Sequence, residues 1–76
     1  MDLRGLRADE VASQLEPALD AAMRADLQSV RIIHGKGTGA LRSVVADVLK
    51  RNPHVRTYRP GQFGEGGSGV TVAELA

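Results

Sequence analysis

The residues with the most chemical potential lie in one short stretch, His34-Gly35-Lys36-Gly37-Thr38-Gly39, which combines an imidazole, an ammonium and a hydroxyl with a run of glycines. Imidazole titrates closest to neutrality, and glycines let backbone N–H groups approach an anion closely. The stretch is not a triphosphate-binding P-loop. That motif needs glycine five residues before the Gly-Lys pair and Ser or Thr after the lysine, where this chain has Val30 and Gly37. Gly35, Gly37 and Ala40 match G-x-G-x-x-A, a weak form of the dinucleotide fingerprint. Some twenty residues on, however, the position of the ribose-binding acid carries bases such as Arg56 and Arg59. What is left is a loop suited to holding a phosphate.

Composition closes off other chemistry. The chain has 76 residues and no cysteine, which removes disulfides, thiolate metal sites and thiol nucleophiles. Its length allows one small domain, and the lack of long flanking segments suggests a domain cut from a larger protein. No run approaches a membrane span, and the N-terminus lacks a signal-peptide core. A soluble, cytoplasmic protein with no membrane partner is therefore expected. Tyr58 and Phe63 are the only aromatics, too few for a base-stacking platform. The net charge of +1 hides a division: residues 1–28 hold three arginines against six acids, and residues 29–76 hold seven bases against three acids. Any polyanion site must be local rather than spread over the surface.

Elements that could position such a site follow from periodicity. A short strand is expected around Leu3, closed by Gly5. A helix from about Ala8 to Ala25 carries Val11, Leu15, Ala18, Leu19 and Ala22 on one face, with a kink expected near 13–16 because Pro17 lacks an N–H. Val30 to Ile33 reads as a strand. Leu41, Val44, Val45, Val48 and Leu49 mark a second helix, stopped by Asn52-Pro53. Val55 to Arg59 and Val70 to Leu75 read as the last strands, joined by a glycine-rich loop. The expected fold is a two-layer α/β sandwich of order βαβαββ. Its four-stranded mixed sheet is mostly parallel, with both helices on one face. Arg31, Arg56 and Thr71 interrupt strands that would be wholly apolar if both faces were covered.

This topology gathers the chemistry. The loop after each parallel strand leaves from the carboxyl edge of the sheet. Arg4 to Arg7 and His34 to Gly39 therefore share an edge with Arg59, and Gly66-Gly67-Ser68-Gly69 returns to it. Arg42 stands one turn into the second helix. The bases Arg4, Arg7, His34, Lys36, Arg42 and Arg59, with Gly35, Gly37, Thr38, Gly39, Gly66 and Gly67, make a candidate nucleic-acid-binding edge. Four phosphate contacts would give a salt slope of about −3.6, or roughly a hundredfold loss of affinity from 50 to 200 mM salt. His54, after Pro53, falls at the opposite edge.

Three segments together resemble the Smr (small MutS-related) domain: Asp2-Leu3-Arg4-Gly5, His34-Gly35-Lys36-Gly37-Thr38-Gly39, and Gly66-Gly67-Ser68-Gly69-Val70-Thr71-Val72. The resemblance covers nearly the whole chain, and the arginine form of the first motif is similar to the Smr domain that ends a bacterial MutS paralogue. It implies a fold like the C-terminal domain of translation initiation factor three. It also implies nicking or endonucleolytic activity on DNA or RNA, in recombination suppression or ribosome rescue, with the ribosome as a further partner. ATP binding would belong to other parts of the parent protein. Many Smr nucleases carry histidine where this chain has Arg4, a departure that bears on cleavage more than on binding. Within that reading His34 is the general acid or base. Lys36, Arg4 and Arg42 hold phosphoryl oxygens, and Asp2 orients Arg4 or His34 or activates water. No carboxylate cluster for two-metal catalysis is evident. No metal ligand is assigned, and a single weakly held Mg²⁺ or Mn²⁺ is the one cofactor left open. A noncatalytic module that docks on nucleic acid or ribosome is the alternative.

Overall fold

The computed structural model describes residues 1–37 and 39–76. In chain order the elements are helix α1 (Ala8–Arg24), strand β1 (Ser29–Ile33), helix α2 (Ala40–Arg51), strand β2 (Val55–Pro60), a single 3-10 turn (Gly67–Gly69) and strand β3 (Val70–Leu75). Among the described residues no helix is long and apolar enough to cross a membrane.

The expected first strand does not form. Asp2 makes one parallel bridge to Ile33, and the pairing stops there because the Leu3 carbonyl accepts the Leu6 N–H at 3.2 Å while the Gly35 N–H donates to the Gly69 carbonyl at 3.0 Å. The turn uses the carbonyl that the next ladder bond needs, the Asp2 carboxylate accepts the outward-facing Arg4 N–H at 3.0 Å, and Gly5 at φ +88° completes the reversal. The sheet therefore has three strands in the order β1-β3-β2. The expectation of a mostly parallel sheet is also corrected. β1 and β2 do run the same way, but β3 lies between them and is antiparallel to both. The chain's most continuously apolar strand takes the central place, where Val70, Thr71, Val72, Ala73 and Leu75 are all buried.

The helical spacing of the sequence is realised closely. Val11, Leu15, Leu19 and Ala22 of α1 and Val45 and Leu49 of α2 are buried with Leu3, Ile32, Ala73 and Leu75 in one core. α1 continues through Pro17. Pro17 and Ser13 are both exposed, so the Ser13 carbonyl that loses its helical partner faces water, which removes much of proline's usual cost.

Directly opposed residues of an antiparallel pair share a face. One face therefore carries Val30, Ala73 and Tyr58 with Ile32 and Thr71, and packs on the helices. The other carries Arg31, Val72 and Arg59 in one row and Ile33 with Val70 in the next. This open face explains the strand arginines. Arg31 lies on it, and Arg56 is the extra residue where the register shifts between Val55 and Thr57. Thr71 is the exception, since it points to the covered side and is buried.

Candidate functional site

The loop after β1 leads straight off the sheet and is fastened to the turn that precedes β3. The backbone N–H groups of His34 and Gly35 both donate to the Gly69 carbonyl at 3.0 Å. A Cβ on Gly69 would sit 3.2 Å from Lys36 Cγ and 3.5 Å from the Gly35 backbone, so glycine here is what lets the two segments touch. The N-terminal segment lies on the other side of the same loop. Leu3 N–H donates to the Ile33 carbonyl at 2.7 Å, and the aliphatic part of Arg4 rests against Gly35.

Arg4, Arg31 and Lys36 thereby line one cavity of about 400 Å³ on the open sheet face. Its floor is Ile33, Gly35, Gly69 and Val70, and its far wall is Gly64, Glu65 and Gly66. Two carboxylates bound the cavity's electrostatics, and both are tied to arginine. Asp2 accepts from Arg4 Nη2 at 2.8 Å and from Nε at 3.0 Å. The Arg4 hydrogen bond holds the Asp2 carboxyl at about 2 and raises the Arg4 guanidinium further. Glu65 accepts from both terminal nitrogens of Arg59 at 2.7 and 3.0 Å, and from the Gln62 N–H at 2.8 Å. These bonds, Arg59 first, bring Glu65 to about 2, with Arg31 adding a smaller Coulombic pull. Both acids are therefore anions at any physiological pH. Among the described residues neither Arg31 nor Lys36 makes an ion pair.

His34 is placed differently from Arg4 and Lys36. The residue is 5% exposed, with Nδ1 2.9 Å from the Gly35 carbonyl oxygen and Nε2 2.9 Å from the Thr71 hydroxyl. A carbonyl only accepts, so Nδ1 carries a hydrogen, and Nε2 and the Thr71 hydroxyl share the second bond. Both ring nitrogens are thus occupied, and the ring fastens the loop to the central strand from beneath.

The remaining candidates spread along the same edge. A second, smaller cavity of about 200 Å³ is lined by His34, Gly35, Gly37, Gly39, Ala40 and Leu41 at the start of α2. Gly39, at φ +85°, offers that helix no side-chain cap, and no acid stands in its first turn. Instead the Arg42 guanidinium lies over Gly39. Arg42 and Arg59 also border a third cavity of about 320 Å³, with Tyr58 and Thr71. Gly35 is shared by the first two cavities and Gly39 by the last two, so the three form a continuous rim. Arg7 lies at the start of α1, where its N–H donates to the Glu10 carboxylate at 2.8 Å, and it lines none of these cavities. Gly67 belongs to the turn before β3 and Thr38 lies outside the described residues. No group of three or more His, Asp or Glu that could hold a metal ion is found among the described residues.

Arg31 is the residue that reading the sequence missed. It was visible only as a charge interrupting Val30-Arg31-Ile32-Ile33, and its membership of the cavity depends on which face of β1 is open.

The model of the Smr domain family matches residues 1–76. The chain is 62% identical over 76 residues to an Endonuclease MutS2 from Gemmatimonas aurantiaca, a match that covers all of this chain and 9% of that protein. It is 55% identical over 75 residues to an Endonuclease MutS2 from Clostridium beijerinckii, covering 99% of this chain and 10% of the relative. It therefore spans about a tenth of the length of these curated relatives. Among solved structures, the crystal structure of the Smr domain of Thermus thermophilus MutS2 superposes with a TM-score of 0.95 at 42% identity, covering 100% of this chain and 95% of the other. YdaL, a stand-alone small MutS-related protein from Escherichia coli, gives 0.86 at 30% identity, covering 97% and 63%.

Proposed function

The chain belongs to the Smr domain family, and from that premise we propose that it is a nucleic-acid-binding domain of nuclease type that acts at the phosphodiester backbone. The observation that carries this reading is the cavity in which Arg4, Arg31 and Lys36 converge over a floor of glycine and apolar side chains. Backbone phosphate is the ligand such a cluster suits, because each cation that contacts phosphate displaces a condensed counterion. In a displacement at phosphorus the same three groups would offset the charge that develops on the phosphoryl oxygens. Asp2 holds Arg4 in place through two side-chain bonds. Lys36 is set by the loop that His34 fastens, so His34 enters as a positioning residue and reaches the reacting atoms only if its bond to Thr71 opens.

Relatives named Endonuclease MutS2 support cleavage as the activity. A second reading, a noncatalytic docking module, is favoured by two observations. The carboxylates at the cavity are held near 2, far from the operating pH of an efficient general base, and both His34 nitrogens are engaged. DNA or RNA as target, recombination suppression or ribosome rescue as setting, and Mg²⁺ or Mn²⁺ as cofactor are further proposals of the same reading.

The test is incubation of the purified chain with supercoiled plasmid and with structured RNA, with EDTA, Mg²⁺ or Mn²⁺, alongside Asp2→Ala, Lys36→Ala, Arg31→Ala and His34→Ala. Nicking that is lost in Lys36→Ala and Arg31→Ala is the expected result. Binding without nicking in the parent chain selects the docking module, and nicking unchanged in every variant removes the site assigned here.

A further inference from the structure

Phe63 is the most exposed large apolar side chain among the described residues. A lone exposed ring is ordinary on a protein surface; the turn that presents this one is not. Glu65 N–H and Gly67 N–H both donate to the Gln62 carbonyl, at 2.9 and 3.1 Å. The Glu65 carboxylate in turn accepts the Gln62 N–H and the Arg59 guanidinium. Phe63 and Gly64 are therefore the two central residues of a turn closed at both ends, with Gly64 at φ +94°, the geometry that demands glycine at the third position. Gly61 and Gly64 near the ring have no side chain for it to fold against. Arg59, whose guanidinium could have covered it, is committed to Glu65.

The position of this turn gives the exposed ring a partner chemistry. Gly64, Glu65 and Gly66 line the same cavity as Arg4, Arg31 and Lys36, and Phe63 directly precedes Gly64, so an exposed ring stands one residue from a cavity with three cations. A ligand that places a flat ring a few bonds from a phosphate is a nucleotide. Inside a duplex both faces of every base are covered by neighbours, and only an unpaired base can present a face to a side chain. We infer that Phe63 is a stacking finger. It caps one unpaired base of a strand whose phosphate lies among Arg4, Arg31 and Lys36, so the preferred ligand is single-stranded, frayed or branched nucleic acid rather than intact duplex. One ring reads no sequence, because every base has a π face. This inference rests on the nucleic-acid reading above and adds to it the class of strand.

The experiment measures binding of the 76-residue chain at low salt to three probes. They are short oligothymidylate, the same phosphate backbone with abasic positions throughout, and a relaxed closed-circular duplex, which has neither ends nor unpaired bases. Phe63→Ala is expected to weaken oligothymidylate by about 5- to 150-fold and to leave the abasic strand and the duplex within about twofold. Phe63→Trp restores oligothymidylate binding. The chain contains no other tryptophan, so its emission reports the site directly, quenched by oligothymidylate and unmoved by the abasic strand. Equal losses on base-bearing and abasic strands, or a bound oligothymidylate that leaves the tryptophan unquenched, overturn the stacking finger while the phosphate site stands. A parent chain that binds none of the three probes overturns both.

Discussion

Removing one cation from the cavity should lower the salt dependence of binding by a countable step. Arg4, Arg31 and Lys36 face one space, and three phosphate contacts on duplex DNA give a slope of log K against log salt of about −2.7. Affinity then falls about 40-fold between 50 and 200 mM salt. Arg31→Ala or Lys36→Ala alone should bring the slope to about −1.8 and the loss over that range to about 12-fold, because each removes one released counterion. Neither side chain is paired with an acid among the described residues, so neither deletion strands an opposing charge, and folding should be little changed. Fluorescence anisotropy with a labelled duplex across a salt series measures the slope, and urea unfolding checks the fold. A slope that stays near the parent value in both variants, with the fold intact, would refute the idea that this cavity holds the backbone. It would move attention to the Arg42 end of the rim.

Other consequences follow from the same geometry. His34→Ala leaves the Thr71 hydroxyl and the Gly35 carbonyl without their buried partner and should cost about 1–3 kcal/mol in urea unfolding, with Thr71→Val costing somewhat less; an unchanged midpoint for both would remove His34 from the loop's support. Asp2 and Glu65 should titrate near 2 in carboxyl-carbon NMR, below their ordinary 3.8 and 4.5. Their folded values are depressed, so the stabilisation from pairing is complete above those ordinary values and disappears as pH falls through about 2. Titration at the ordinary values would mean that the pairs do not persist in solution. Gly66→Ala forces a side chain into φ +111° and against Val70, at a cost of about 1–3 kcal/mol, and a variant as stable as the parent would contradict the packing of this loop over the open face.

Much of this protein was legible along the chain because its signals are local. The apolar spacing of Val11, Leu15 and Leu19, and of Leu41, Val45 and Leu49, dictates two helices whatever surrounds them. A run such as Val70-Thr71-Val72-Ala73 is extended wherever it lies. The glycines of 35–39 and 66–69 announce loops, and chain direction alone carries those loops and Arg59 to one edge of the sheet. Strand neighbours and strand faces are not local properties. Only the folded chain decided that β3 enters between β1 and β2, since that choice depends on which strand gains most by burial on both faces. The length of the first strand was settled by whether the Leu3 carbonyl went to the ladder or to the Leu6 N–H. The same holds for the two residues that most change the reading of the site. Arg31 joins the cavity because the face it occupies has no helix over it. His34, one position after the strand, turns to the covered side and meets Thr71 thirty-seven residues away. Periodicity carries no information about a partner at that distance, and that partner is what ties the imidazole to the central strand.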